Sequence, residues 1–163
     1  MSAPKITVTA DKTLQKRKEF KELRSWHVVV GVPEKTATLG REIGESNAAL
    51  ARLHENGSPA RNIPPRPFLQ VSLNDKKAEL SDVLRAAAVD FCDGKLNAEN
   101  AYTKAGLFAQ SVVKAYIKNS NNFTPLKAGT LARRKAKGFL GEKPLIETGQ
   151  LLNSIDFDVR RRG

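Results

Sequence analysis

The sequence predicts an α+β fold: a small, mostly antiparallel sheet packed by a long helical hairpin and carrying extended loops or arms. Three observations predict it. Residues 26–32 form a β-branched run, Trp-His-Val-Val-Val-Gly-Val, of the kind that makes a strand covered on both faces. Ile155, Phe157 and Val159 alternate with Asp156, Asp158 and Arg160, the two-residue period of a strand with one wet face. Between these strands lie two segments whose apolar residues recur at three and four positions, the period of a helix with one buried stripe.

Taken in order, residues 5–9 alternate, with Ile6 and Val8 on one side and Lys5, Thr7 and Thr9 on the other, which predicts a first strand. Asp11 stands where a helix N-cap belongs, and Leu14, Phe20 and Leu23 give a thin apolar stripe on a basic helix reaching Arg24. The run at 26–32 is the expected central strand of a sheet of at least three. Residues 33–44 carry Pro33, Thr36, Thr38, Gly40 and Gly44 without periodicity and read as a loop. Ser46 is placed to cap a short helix with Ala49, Leu50 and Leu53 on its buried face, and Gly57 to end it in a left-handed conformation. Residues 58–67 read as an arm, because Pro59, Pro64, Pro65 and Pro67 each remove a backbone donor.

A helix over 75–92 follows, with Leu80, Val83, Leu84, Ala87, Ala88 and Phe91 as its core face. A second, over 98–118, has Ala101, Ala105, Phe108, Val112 and Ala115 on one stripe. Joined by Asp93–Asn97, they form the expected antiparallel hairpin. Asn119–Asn122 breaks the pattern. Residues 123–148 contain little that forms a core beyond a basic helix at 125–136, so they read as a second excursion. Thr148 is placed to cap a turn starting at Gly149, with Leu151 and Leu152 packing inward before the last strand. The chain, 163 residues, divides as one domain into a basic N-terminal strand and helix (1–25), a core (26–118), an extended arm (119–148) and a closing turn and strand (149–160).

Composition narrows the function. Apolar residues are 40% and charged residues 28%, as in a globular protein, and no apolar run approaches the roughly 20 residues that span a bilayer. Met1-Ser-Ala-Pro-Lys-Ile lacks an apolar signal core, so synthesis and folding in the cytoplasm are expected. The single Cys92 ends an apolar stripe and is expected to be buried rather than reactive. The net charge of +11 is the outlier and disposes the chain toward nucleic acid or acidic protein surfaces. Basic residues gather at Lys12–Arg24, at Arg133, Arg134, Lys135 and Lys137, and at Arg160–Arg162. Any one cluster alone reads as a solvated face, but three make a basic surface.

No constellation for catalysis, metal or cofactor is found. His27 lies in a strand, and His54-Glu55-Asn56-Gly57 lacks the second histidine of a zinc spacing. The glycines do not follow phosphate-loop spacing, and no serine sits in a nucleophile turn. Aromatic residues, 6%, do not interleave with basic ones as a stacking platform requires. Residues 131–138 could instead lie along phosphates without reading bases.

Four blocks remain: Val28-Val-Val-Gly-Val32; Asn47-Ala-Ala-Leu50 followed by His54-Glu-Asn-Gly57; Ile63-Pro-Pro-Arg-Pro-Phe-Leu69; and Thr124-Pro-Leu126 followed by Lys143-Pro-Leu-Ile-Glu-Thr-Gly-Gln-Leu-Leu-Asn-Ser-Ile155. In order and separation they resemble the tail-completion and virion-morphogenesis proteins of tailed bacteriophages, the neck and tail-terminator family. Asn56 departs from that pattern, since members often carry an aromatic residue there, and the basic N-terminal helix is not a shared signature. The resemblance implies a structural virion protein without enzymatic activity or cofactor, assembled in the host cytoplasm. It implies a homo-oligomeric, hexameric ring at the head–tail junction that meets neighbouring neck, connector and tail-tube proteins, without a membrane. On that reading Pro64, Pro65, Arg66, Pro67, Phe68 and Leu69 are candidate contacts with neighbours, and Arg66 could fork onto a neighbour's carboxylate. Phe68 and Leu69 filling the chain's own core is the equal alternative. Arg133, Arg134, Lys135 and Lys137 are candidate contacts for phosphate or an acidic surface, including DNA passing through the neck. The competing function is nonspecific nucleic-acid binding through the same clusters.

Overall fold

A computed structural model describes residues 13–38 and 44–162, and the strand expected at 5–9, the Asp11 cap and positions 39–43 of the first loop lie outside them. The fold is α+β. Its helices are α1 (Thr13–Arg24), α2 (Glu34–Ala37), α3 (Asn47–Asn56), α4 (Leu69–Asp75), α5 (Lys77–Cys92), α6 (Ala98–Lys118), α7 (Ala128–Ala136) and α8 (Gln150–Ser154). Two strands, β1 (Trp26–Gly31) and β2 (Asp156–Arg161), pair antiparallel from Trp26 opposite Arg161 to Gly31 opposite Asp156. The Arg161 guanidinium lies 5.1 Å from the centre of the Trp26 ring, a cation–π contact across the first rung.

Helix α6 organises everything else. Asn97 caps it, its side chain accepting from the Asn100 N–H at 2.7 Å, and its 21 residues make a rod about 31 Å long. It packs against α5 on one side and against both strands on the other. The close approach to the sheet requires Gly106, where a Cβ would collide with the Phe157 ring. Gln110 Nε2 fastens β2 to the helix, donating to Ile155 O and Asp156 Oδ1, each at 3.0 Å. Asp156 Oδ2 pairs with Lys35 Nζ at 2.9 Å, which ties α2 to the same strand.

The stripe expected on α6 is corrected by its packing. Ala101 and Ala105 are buried as expected, but the stripe continues through Ala109, Val113 and Ile117, while Ala115 is exposed. A step of four residues advances about 40° beyond a full turn. The buried face therefore winds around α6, from α5 at its start to the central core at its end. That core consists of Phe68, Val113, Ile117, Phe123, Leu145, Leu151 and Ile155.

Further expectations change. The helix expected over 75–92 starts earlier and breaks at Lys76 (φ −104°, ψ 18°), giving α4 and α5. Ala87 alone of the expected α5 face is fully buried, and Val89 is 54% exposed. β1 is not enclosed on both faces: among the described residues the sheet has two strands, and Val29 is 48% exposed. Val30 and Val32 do pack on the core. The first loop contains the single turn α2. Cys92 is a free thiol, half-buried.

Candidate functional site

Three of the four blocks singled out in the sequence meet at one place, where α3, the proline segment, α7 and the closing turn adjoin; the first packs on the central core through Val30 and Val32. Helix α3 begins at Ser46, whose Oγ accepts from the Ala49 N–H at 3.1 Å. It ends at Gly57 (φ +71°), where a Cβ would lie 2.7 Å from Pro65 N. Only glycine allows this conformation and this approach together. The proline segment then folds back instead of reaching outward. Ser58 and Ile63 exchange backbone hydrogen bonds at 2.8 and 3.0 Å, and Arg66 N donates to His54 O at 2.7 Å.

Glu55 locks this return. Its Oε2 accepts from the Phe68 and Leu69 N–H groups at 2.9 and 3.0 Å, and its Oε1 from Gln70 N–H at 3.0 Å. These are donors at the start of α4, which has no cap of its own, so a carboxylate brought from α3 satisfies the N-terminal amides and favours their dipole. Phe68 is thereby driven inward to 1% exposure. As a candidate partner contact it is corrected: it fills this chain's own core. Pro65 and Pro67 remain exposed, while Pro64 and Leu69 are half-buried.

The excursion at 119–148 is likewise docked on its own domain. Phe123 packs edge-on against Tyr116, the ring centroids 5.6 Å apart. Arg134, a candidate phosphate contact, is instead an internal clamp, 7% exposed. Its Nη1 donates to Gly141 O, Lys143 O and Ile146 O at 3.2, 2.9 and 3.3 Å, and its Nε lies 3.4 Å from Glu147 Oε2. The clamp holds Leu145, at φ +62°, in the core. Arg133, Lys135 and Lys137 are exposed. The expected Thr148 cap survives as one long contact, Gln150 N–H donating to Thr148 Oγ1 at 3.4 Å.

Between these parts lies a cleft of about 640 Å³ with apolar walls that include Leu53, Leu126 and Leu145, and with His54, Arg66 and Arg134 among its lining. Burial, then the positive charge of Arg134, lowers the Arg66 pKa; burial, then Arg66 and Arg134, lowers that of His54. A histidine held below its ordinary 6.5 stabilises the fold in its neutral form. That contribution is complete above the unfolded value and is lost as pH falls through it toward the folded value. The melting temperature is therefore expected to fall as pH drops below the ordinary histidine value of 6.5, and His54→Gln to flatten that fall, in thermal melts at a series of pH values.

Sequence reasoning missed Glu55 and the inward turn of Arg134. Glu55 sits beside Gly57 in a block already singled out, but the N–H groups that donate to it lie thirteen to fifteen residues on; nothing local marks it as their cap. Among the described residues no cluster of His, Cys, Asp and Glu is arranged to hold a metal ion, and no helix is long and apolar enough to cross a membrane. No known protein family, curated protein or solved structure matches the chain.

Proposed function

We propose that this chain is a structural virion protein of a tailed phage, a subunit of a homo-oligomeric ring at the head–tail junction that joins the tail to the capsid connector. One observation carries the proposal: the layers are covered on one side only. No residue of α1, β1 or β2 is fully buried, and α5 buries only Ala87. Leu14 and Phe20 on α1, Val89 on α5 and Leu107 on α6 are each more than half exposed. A groove of about 400 Å³ on the outside of the hairpin adds Leu23, Leu84, Ala88 and Tyr102. Apolar surface left open on several packed elements is what an assembly part covers when it meets its neighbours.

Three of the four blocks support the same proposal from the inside. They contribute Val30, Val32, Phe68, Leu145, Leu151 and Ile155 to one interior or its rim, so what they specify is shape rather than chemistry. Native mass measurement of the protein, alone and mixed with tail and connector proteins, is expected to give a closed ring in at least one condition. A map of the virion is expected to place that ring at the neck, and a virion lacking the protein would sink the proposal. A second reading is favoured by the exposed Arg133, Lys135 and Lys137 on and beside α7. It is nonspecific contact with nucleic acid, whose affinity would fall steeply with salt; absence of DNA binding at low salt removes it.

A further inference from the structure

We propose that the cleft between α3, the proline segment and α7 binds a carboxylate side chain from a partner protein, with Arg66 as the receiving group. Arg66 is 9% exposed, its Nε has no hydrogen-bond partner, and none of the ion pairs among the described residues includes it. A buried guanidinium without an acid is unfavourable unless an anion completes it. Buried arginines that stand alone in a lined cleft are therefore suited to an incoming ligand. The Nε of Arg134 likewise lacks a hydrogen bond, but that guanidinium is already engaged by three carbonyls through Nη1 and pairs with Glu147.

The shape of the guanidinium and its depth in the cleft select the ligand. Lys127 and Arg133 stand at the exposed rim and inside it Arg134 is engaged by Glu147, so Arg66, with His54 beside it, is the buried cation left without an acid. A single planar carboxylate matches that charge and can accept two parallel bonds from a guanidinium. The walls select the carrier. Leu53, Leu126, Leu145 and Leu151 line the same cleft, which suits an acidic side chain flanked by apolar residues rather than a free, hydrated anion. A chain of net charge +11 attracts acidic partners in general, and the cleft gives that attraction a specific seat.

The inference is independent of the virion proposal, and its test can be run on the isolated protein. In isotope-labelled protein the Arg66 Nε–H resonance is followed during titration with four probes: Ac-Leu-Glu-Leu-NH₂, Ac-Leu-Gln-Leu-NH₂, acetate and inorganic phosphate. The glutamate peptide is expected to shift it saturably, with an apparent Kd about tenfold or more below those of the other three. Arg66→Lys, which keeps the charge but loses the fork, is expected to weaken the peptide about tenfold. Equal binding of the glutamine peptide, equal binding of acetate, tighter binding of phosphate, no saturable shift, or an unaltered Arg66→Lys would each overturn the assignment. Because the decisive titrations use the unaltered chain, a folding defect in the variant does not blur them.

Discussion

Replacing Phe68 by alanine is expected to destabilise the fold by about 4 kcal/mol, a large share of the roughly 5–15 kcal/mol that holds a domain together. The side chain is 1% exposed and is surrounded by Val113 and Ile117 of α6 and by Leu145, Leu151 and Ile155 of the closing block. It is thus the point at which the central helix, the proline segment and the C-terminal block share one interior. Truncation opens a cavity that three separate elements would have to close together. Each is fixed independently, α6 by its own length, α4 by the Glu55 cap and the closing block by Arg134, so collapse is limited and the cost stays near the upper part of the usual range. Urea unfolding is expected to show a lower midpoint with an unchanged slope. Leu84→Ala, at a side chain 36% exposed, is expected to cost less than about 1 kcal/mol. The comparison also decides between the two roles the sequence allows for Phe68. A loss below about 1 kcal/mol would return it to the neighbour-facing surface.

The residues that proved legible are those whose signal is local. Ser46 and Gly57 bound α3 because a cap and a left-handed terminus depend on a few adjacent atoms. The alternation at Ile155–Arg160 gave β2, and the break at Asp93–Asn97 gave the turn of the hairpin. What failed depends on partners far along the chain. The apolar spacing on α5 marks a helix but not whether anything covers it, and among the described residues Val89 and Leu84 are left only partly covered. Prolines at 59–67 correctly exclude an interior strand, yet they do not say whether the segment reaches out or folds back. That is settled by Gly57, whose lack of a side chain lets Pro65 approach, and by Glu55 and His54, which accept from the Phe68 and Arg66 N–H groups and bring α3 and the segment together. The basic run at 133–137 shows the same limit: four cations look alike in sequence, and only packing against residues 141–147 turns one of them inward.

Arg134→Leu is expected to cost about 3 kcal/mol and to loosen residues 137–148 more than the rest of the chain. The substitution keeps an apolar stem in the space of the old one, so the loss comes from the polar contacts. Three carbonyls, of Gly141, Lys143 and Ile146, would lose the one guanidinium nitrogen they share. Glu147 is 39% exposed in its side chain and can return to water, so its orphaning adds little; the carbonyls around buried Leu145 cannot do so without moving the backbone. Hydrogen exchange is therefore expected to accelerate first across 137–148, with α6 keeping its protection until global unfolding. Arg134→Lys is expected to recover part of the loss, since an ammonium offers three donors to the carbonyl cluster but nothing planar toward Glu147. If exchange in the variant rises uniformly instead, Arg134 holds the fold as a whole, and the segment it bridges is not a separable docked strap. The same comparison bears on the basic surface. Arg133→Ala and Lys135→Ala, at exposed positions, are expected to leave stability within about 0.5 kcal/mol, so any effect they have on DNA or partner binding reports contact and not unfolding.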